Sequence, residues 1–144
     1  MANPINAPVY ITIDGNQYRL NPLKLKDLQE LVNFLQHQYV QGIKQDVNDL
    51  PQDIQISLLK DAIHESKKIQ IGSTDFSREI ASISGIAKCF ELSVRNNHKD
   101  MDYGTCLDLL TPENMIELGS ALAKLTGLNS DDDNSDFQNP VLPV

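Results

Sequence analysis

Apolar and polar positions alternate one by one only near the start of the chain. Val9, Ile11 and Ile13 alternate with Tyr10 and Thr12, and a second β-prone run, Gln17 to Leu20, follows Asp14, Gly15 and Asn16. A period of two gives a strand one apolar face, and an Asp-Gly pair between two such runs is a strong hairpin signal. The pattern predicts a β-hairpin whose apolar face packs on the rest of the chain, because an isolated hairpin is marginal in water.

Beyond Asn21 and Pro22 the period becomes helical. Leu28, Leu31, Val32, Leu35 and Tyr39 predict a first helix from about Lys26 to Gln41, ended by Gly42 and followed by a polar linker to Asp49. A second helix starts near Asp49, with Pro51 in its first turn and Ile54, Leu58, Leu59, Ala62 and Ile63 as its buried face. Lys67 and Lys68 suit its C-terminal end, where the helix dipole favours cations. Gly72 to Asp75 interrupts the pattern and offers caps for a third helix reaching about Asn97. Phe76, Ile80, Ile83, Ala87, Phe90 and Val94 recur along it in alternating steps of four and three, a stripe that reads as intramolecular core or as the seam of a helical oligomer. Ser82, Gly85 and Cys89 form a small-residue patch on it, suited to close approach by another helix.

A polar break from Asn96 to Asp100 precedes a short helical segment, Tyr103 to Leu110. Thr111, Pro112 and Glu113 then supply a cap, a first-turn proline and a first-turn acid for a last helix. Met115, Leu118, Leu122 and Leu125 form its apolar face, and Gly127 with Leu128 supplies a stop. The expectation is a mainly α chain: an N-terminal β-hairpin, a bundle of four to five helices and a disordered acidic C-terminal tail. Its limits are an arm at 1–8, one hairpin-plus-helical domain at 9–128 and the tail at 129–144.

Charge narrows the partners. Asp and Glu number 20 against 12 Lys and Arg, a net charge of −8, so the long-range field repels phosphate backbones and nucleic acid is not expected as a partner. Asp131, Asp132, Asp133 and Asp136 account for four of those acids, leaving 16 against 12 and a net −4 for the remainder. No run approaches the ~20 apolar residues needed to span a bilayer, and Met1 to Ala7 lacks the pattern of a signal peptide. Membrane attachment is not expected, and Cys89 and Cys106 match neither a disulfide scaffold nor a zinc site. Reduced thiols in a cytosolic protein are the simplest account.

No catalytic signature is present: there is no Walker loop, dinucleotide-binding glycine pattern, nucleophile elbow or HExxH. His37, His64 and His98 lie on three separate segments among polar neighbours, which points to surface histidines. The acidic run Asp131 to Asp136 lacks the glycine and distal glutamate of a calcium loop. Cys89, beside Phe90 in an apolar stretch, reads as a buried thiol. Phe137, Val141, Leu142 and Val144 give the tail apolar anchors for a partner. No enzyme activity, cofactor or metal is expected.

The stretch from Ile11 through Asp14, Gly15, Asn21 and Pro22 to Leu31 resembles the opening of tail assembly chaperones of long-tailed bacteriophages. Leu110, Thr111, Pro112 and Glu113, with Gly127, Leu128 and Asn129, are similar to that family's ending, so the resemblance spans about residues 9–129 in order and size. Lys24 departs from it, standing where a small capping residue is usual. The resemblance implies a non-enzymatic protein of phage morphogenesis that binds the aggregation-prone tape measure protein and helps tail tube subunits assemble around it. It implies action in the bacterial host cytoplasm and absence from the mature virion. The tape measure protein is the expected partner, with the tail tube protein and a second copy of the chain as further candidates. Leu31, Leu35, Ile83, Phe90 and Phe137 are the expected contact residues, on exposed parts of the first and third helices and in the tail. The rival expectation is a small structural virion protein, a tail or head completion component.

Overall fold

Val9–Ile13 (β1) and Asn16–Leu20 (β2) pair antiparallel in the computed structural model, which describes residues 7–126. Ile13 stands opposite Asn16, leaving a two-residue loop of Asp14 and Gly15 with φ of 53° and 81°. Two successive positive φ values make the type I′ turn, whose twist matches that of the strands. Ile11, Ile13, Tyr18 and Leu20 are buried while Tyr10, Thr12, Gln17 and Arg19 are exposed, so the expected single apolar face is realised.

The first helix, α1 (Leu25–Asp46), buries Leu28, Leu31, Val32 and Leu35. Lys24 has no side-chain acceptor to offer at its start. Asp27 caps from inside the helix instead, its carboxylate accepting the Lys24 N–H at 2.9 Å. Contrary to expectation, Gly42 does not end α1, which runs a further turn. A mid-helix glycine costs about 1 kcal/mol relative to alanine. Burial of Val47, which closes the helix by donating its N–H to the Ile43 carbonyl at 3.0 Å, offsets that cost. Pro51 then leads into α2 (Gln52–Ser66), which lies along α1. The Gln55 side-chain amide donates to the carbonyls of Asn48 and Leu50 at 3.1 and 2.7 Å, which holds the connecting turn.

The expected long third helix is two helices, α3 (Thr74–Ile80) and α4 (Ile83–Val94). Ser82 makes the break: its hydroxyl accepts the Gly85 N–H at 3.0 Å and donates to the Glu79 carbonyl at 2.6 Å. A serine able to bond the backbone in this way competes with helix continuation. Gly85 is what lets the corner close. A Cβ there would lie 2.6 Å from the Ile80 carbonyl oxygen and 2.7 Å from its Cα, and nearer still to the Glu79 oxygen. The small-residue patch thus serves close approach, and what approaches is the last turn of α3.

Two more helices complete the described residues, α5 (Tyr103–Leu109) and α6 (Pro112–Thr126). Asp102 caps α5 by accepting the Thr105 N–H at 2.8 Å. At α6 the Thr111 hydroxyl accepts the Asn114 N–H at 3.1 Å while Asn114 accepts the Thr111 N–H at 2.8 Å, a reciprocal cap. The described residues therefore hold six helices, more than the four or five expected, because the third was split. The stop at Gly127 and the tail at 129–144 lie outside the described residues.

Helix α4 sits at the centre. It contacts α1, α3, α5, α6 and β2, and Ile86, Ala87, Cys89, Phe90, Leu92 and Val94 are all buried. The ring of Tyr18 meets that of Phe90 edge-on at 5.7 Å, which seats the hairpin on α4.

The two helical glycines give a test by sign. Gly42→Ala, with nothing within 4 Å of the new Cβ, should stabilise the protein by about 0.5–1 kcal/mol. Gly85→Ala, which drives a Cβ into backbone, should destabilise it by about 1–3 kcal/mol. Urea denaturation of both variants checks the pair; stabilisation by Gly85→Ala would show that the corner is not close-packed.

Candidate functional site

The largest departure from expectation lies on α2. Of its expected buried face only Ala62 is buried, with Leu59 intermediate. Leu50, Ile54, Ile56, Leu58 and Ile63 are between 37% and 48% exposed. The cause is the arrangement of neighbours. Among the described residues α1 is the one element α2 packs against extensively, and a helix resting on one neighbour buries only a narrow stripe. That stripe is Leu59, Ala62 and Ser66, spaced three and four residues apart. Ile54 and Leu58, one turn apart, fall on one flank of it, and Ile56 and Ile63, two turns apart, fall on the other. Scattered exposed aliphatics are ordinary, but five between Leu50 and Ile63 form a concentration. Each half-exposed side chain leaves on the order of 1 kcal/mol of burial unrealised. Completing that burial is the driving force this surface offers a partner.

The expected contact residues fall elsewhere. Leu31, Leu35 and Phe90 are in the core, each at most 1% exposed, so no partner reaches them while the fold is intact. Their helical spacing marks them as apolar positions, and the same spacing serves an internal face and a docking groove alike. Ile83 is exposed, because the break at Ser82 makes it the first residue of α4 and turns it out of the stripe. Phe137 lies outside the described residues.

A charged network joins α1 to α4. Arg95 binds Asp27 at 2.9 Å and Glu30 at 3.1 Å, and Lys88 binds Glu91 at 2.8 Å and Glu30 at 3.5 Å. Lys88 also stands 5.2 Å over the Phe34 ring. Glu30 is held below the usual carboxylate range, first by the hydrogen bond from Arg95, against the opposing effect of burial. Every carboxylate in this network has a cationic partner, so its arrangement suits clamping two helices.

The remaining titratable groups are dispersed. His37 and His64 are exposed on α1 and α2, while His98 accepts the Arg19 N–H at 3.3 Å and packs its ring on Tyr18. Both cysteines are free and buried, and burial pushes each thiol up to about 12, with the negative charges of Glu91 and Asp102 adding to the effect at Cys106. Among the described residues no three His, Cys, Asp or Glu side chains converge as a metal site. Beside the charged network lies an open hollow of about 470 Å³ at the junction of β2, α1 and the end of α4, with Arg19, Asn21, Lys24, Asn96 and Asn97 on its polar wall.

Comparison of the chain with family models, curated proteins and solved structures finds no match to any of them.

Two measurements test this electrostatic and packing account. Because the Glu30 pKa is lower folded than unfolded, its contribution is complete above the ordinary glutamate value of about 4.3 and is lost as pH falls through the lowered value. Stability should therefore drop on acidification below about pH 4, and Glu30→Gln should flatten that drop; an unchanged acid limb would mean that the Arg95 contact contributes nothing. With both thiols raised to about 12, a thiol reagent at neutral pH should label neither cysteine in the native protein and both in denaturant.

Proposed function

We propose that this chain is a non-enzymatic binding protein of the phage tail assembly chaperone type, which uses α2 to cover apolar helices of a tape measure protein before tail assembly. The observation that carries the reading is the apolar surface of α2, left uncovered on both flanks of the stripe that rests on α1. An amphipathic helix laid along either flank completes the burial of Ile54 and Leu58, or of Ile56 and Ile63, in a helix-on-helix mode of recognition. The N-terminal hairpin leading into helices, and the threonine-capped last helix, are the features in which the chain resembles that family. Among the described residues no helix is long and apolar enough to cross a membrane, and the reading places the chain in the host cytoplasm, leaving before the virion matures.

The reading moves the contact surface from the first and third helices to α2. Surface substitutions rarely change stability by more than about 0.5 kcal/mol, so the double variant Ile54→Asp with Leu58→Asp and the single variant Ile63→Asp should remain folded. Leu31→Asp, placing a charge in the core, should unfold the chain and serves as the control for core loss. The wild-type chain co-expressed with the tape measure protein encoded nearby should co-elute with it and raise its solubility. At least one of the α2 variants should lose that co-elution. Retained binding by both folded variants would remove α2 from the interface. Recovery of the chain in intact particles at fixed stoichiometry would instead establish a structural virion component.

A further inference from the structure

The hollow beside α1 offers cations at the point where the chain leaves the described fold. Arg19 on β2 and Lys24 before α1 line it, and among the described residues neither has a carboxylate within salt-bridge distance. Asp27, the one acid on its wall, is already engaged by Arg95 at 2.9 Å and by the Lys24 N–H at 2.9 Å. The side-chain amides of Asn96 and Asn97 add donors, while that of Asn21 is engaged by the Ser93 carbonyl and the Asn97 side-chain oxygen. Leu23, on the apolar side of the same hollow, donates its N–H to the Leu125 carbonyl at 3.4 Å, so α6 ends at the hollow's rim.

After Thr126 the sequence carries Asp131, Asp132, Asp133 and Asp136 and no Lys or Arg through Val144. Asp131 is five residues beyond Thr126 and Asp136 is ten, which allows spans of up to about 17 and 35 Å. The tether starts beside the hollow, because Leu125 is bonded to Leu23, the neighbour of Lys24. Opposite charge, short tether and an open cavity lined by donors coincide at one place.

We propose that the hollow binds the chain's own acidic segment, residues 131–136, with its aspartates on Arg19 and Lys24. The contact neutralises the two cations and ties the segment to the α1 end of the molecule, away from the turn into α2. It stands whether or not α2 binds a tape measure protein.

A spin label on the full chain tests it. Asn134→Cys is labelled selectively with a nitroxide, because Cys89 and Cys106 are buried, and backbone amide intensities are compared between the oxidised and reduced label. Loss of intensity is expected at Arg19, Asn21, Lys24, Asn96 and Asn97. Tethering alone broadens some of these amides, so the decisive comparison is with Arg19→Gln and Lys24→Gln together. Both positions are exposed, and the fold should survive their replacement. The double substitution, and about 1 M salt, where the Debye length falls to about 3 Å, should each restore most of the lost intensity. Broadening at the hollow that neither treatment relieves, broadening centred on Ile54, Leu58 and Ile63 of α2, or no localised broadening would each overturn the proposal.

Discussion

Burial of α4 on nearly every side is the constraint from which the rest of the architecture follows. A twelve-residue helix with eight buried positions cannot lie on a surface, and each of its faces needs a separate apolar cover. The hairpin supplies one, with Tyr18 edge-on to Phe90. The inner face of α1 supplies another through Leu31 and Leu35, and α3, α5 and α6 close the remainder. The corner at Ser82 and Gly85 lets α3 and α4 meet as separate helices. Had the chain continued straight from Thr74 to Val94, Phe76 would lie one long helix away from the cluster it shares with Phe90.

Polar groups are spent mainly on directing the chain. Ser73, Ser82, Asp102 and Thr111 each accept a backbone N–H at the start of a helix, and Asp27 does so from within α1. Arg95 and Lys88 fasten α4 to α1 at the edge of the core, where partial burial strengthens an ion pair without imposing the desolvation cost of a deep one. The three histidines and two thiols take ring-packing, solvent or core positions.

Helix α2 stands outside this economy. It rests on the far half of α1, where Ile43 is half-buried and Val47 buried, and turns apolar side chains outward on both flanks. The hollow lies at the other end of α1, where β2, α4 and α6 converge. The described residues thus carry an apolar surface near one end of α1 and a cationic one near the other. The two differ in physics: burial of aliphatic area is not screened by salt, while attraction to the cationic hollow weakens as ionic strength rises.

The sequence by itself determined the elements whose causes are local. The hairpin is set by alternation around Asp14 and Gly15, which take the two positive φ values a tight turn requires; the start of α6 is set by Thr111 and Pro112; the apolar stripes of α1 and α4 follow from spacing. Tertiary structure decided whatever depends on how many neighbours an element acquires. Gly42 stays helical because burial of Val47 draws α1 on past it, Ser82 ends a helix because α3 can fold back over Gly85, and Leu31, Leu35 and Phe90 are core because other elements cover them. Ile54, Leu58 and Ile63 have the same affinity for burial, yet remain exposed because, among the described residues, no second layer lies over α2. Periodicity records which side chains favour leaving water; only the assembled fold fixes which of them do.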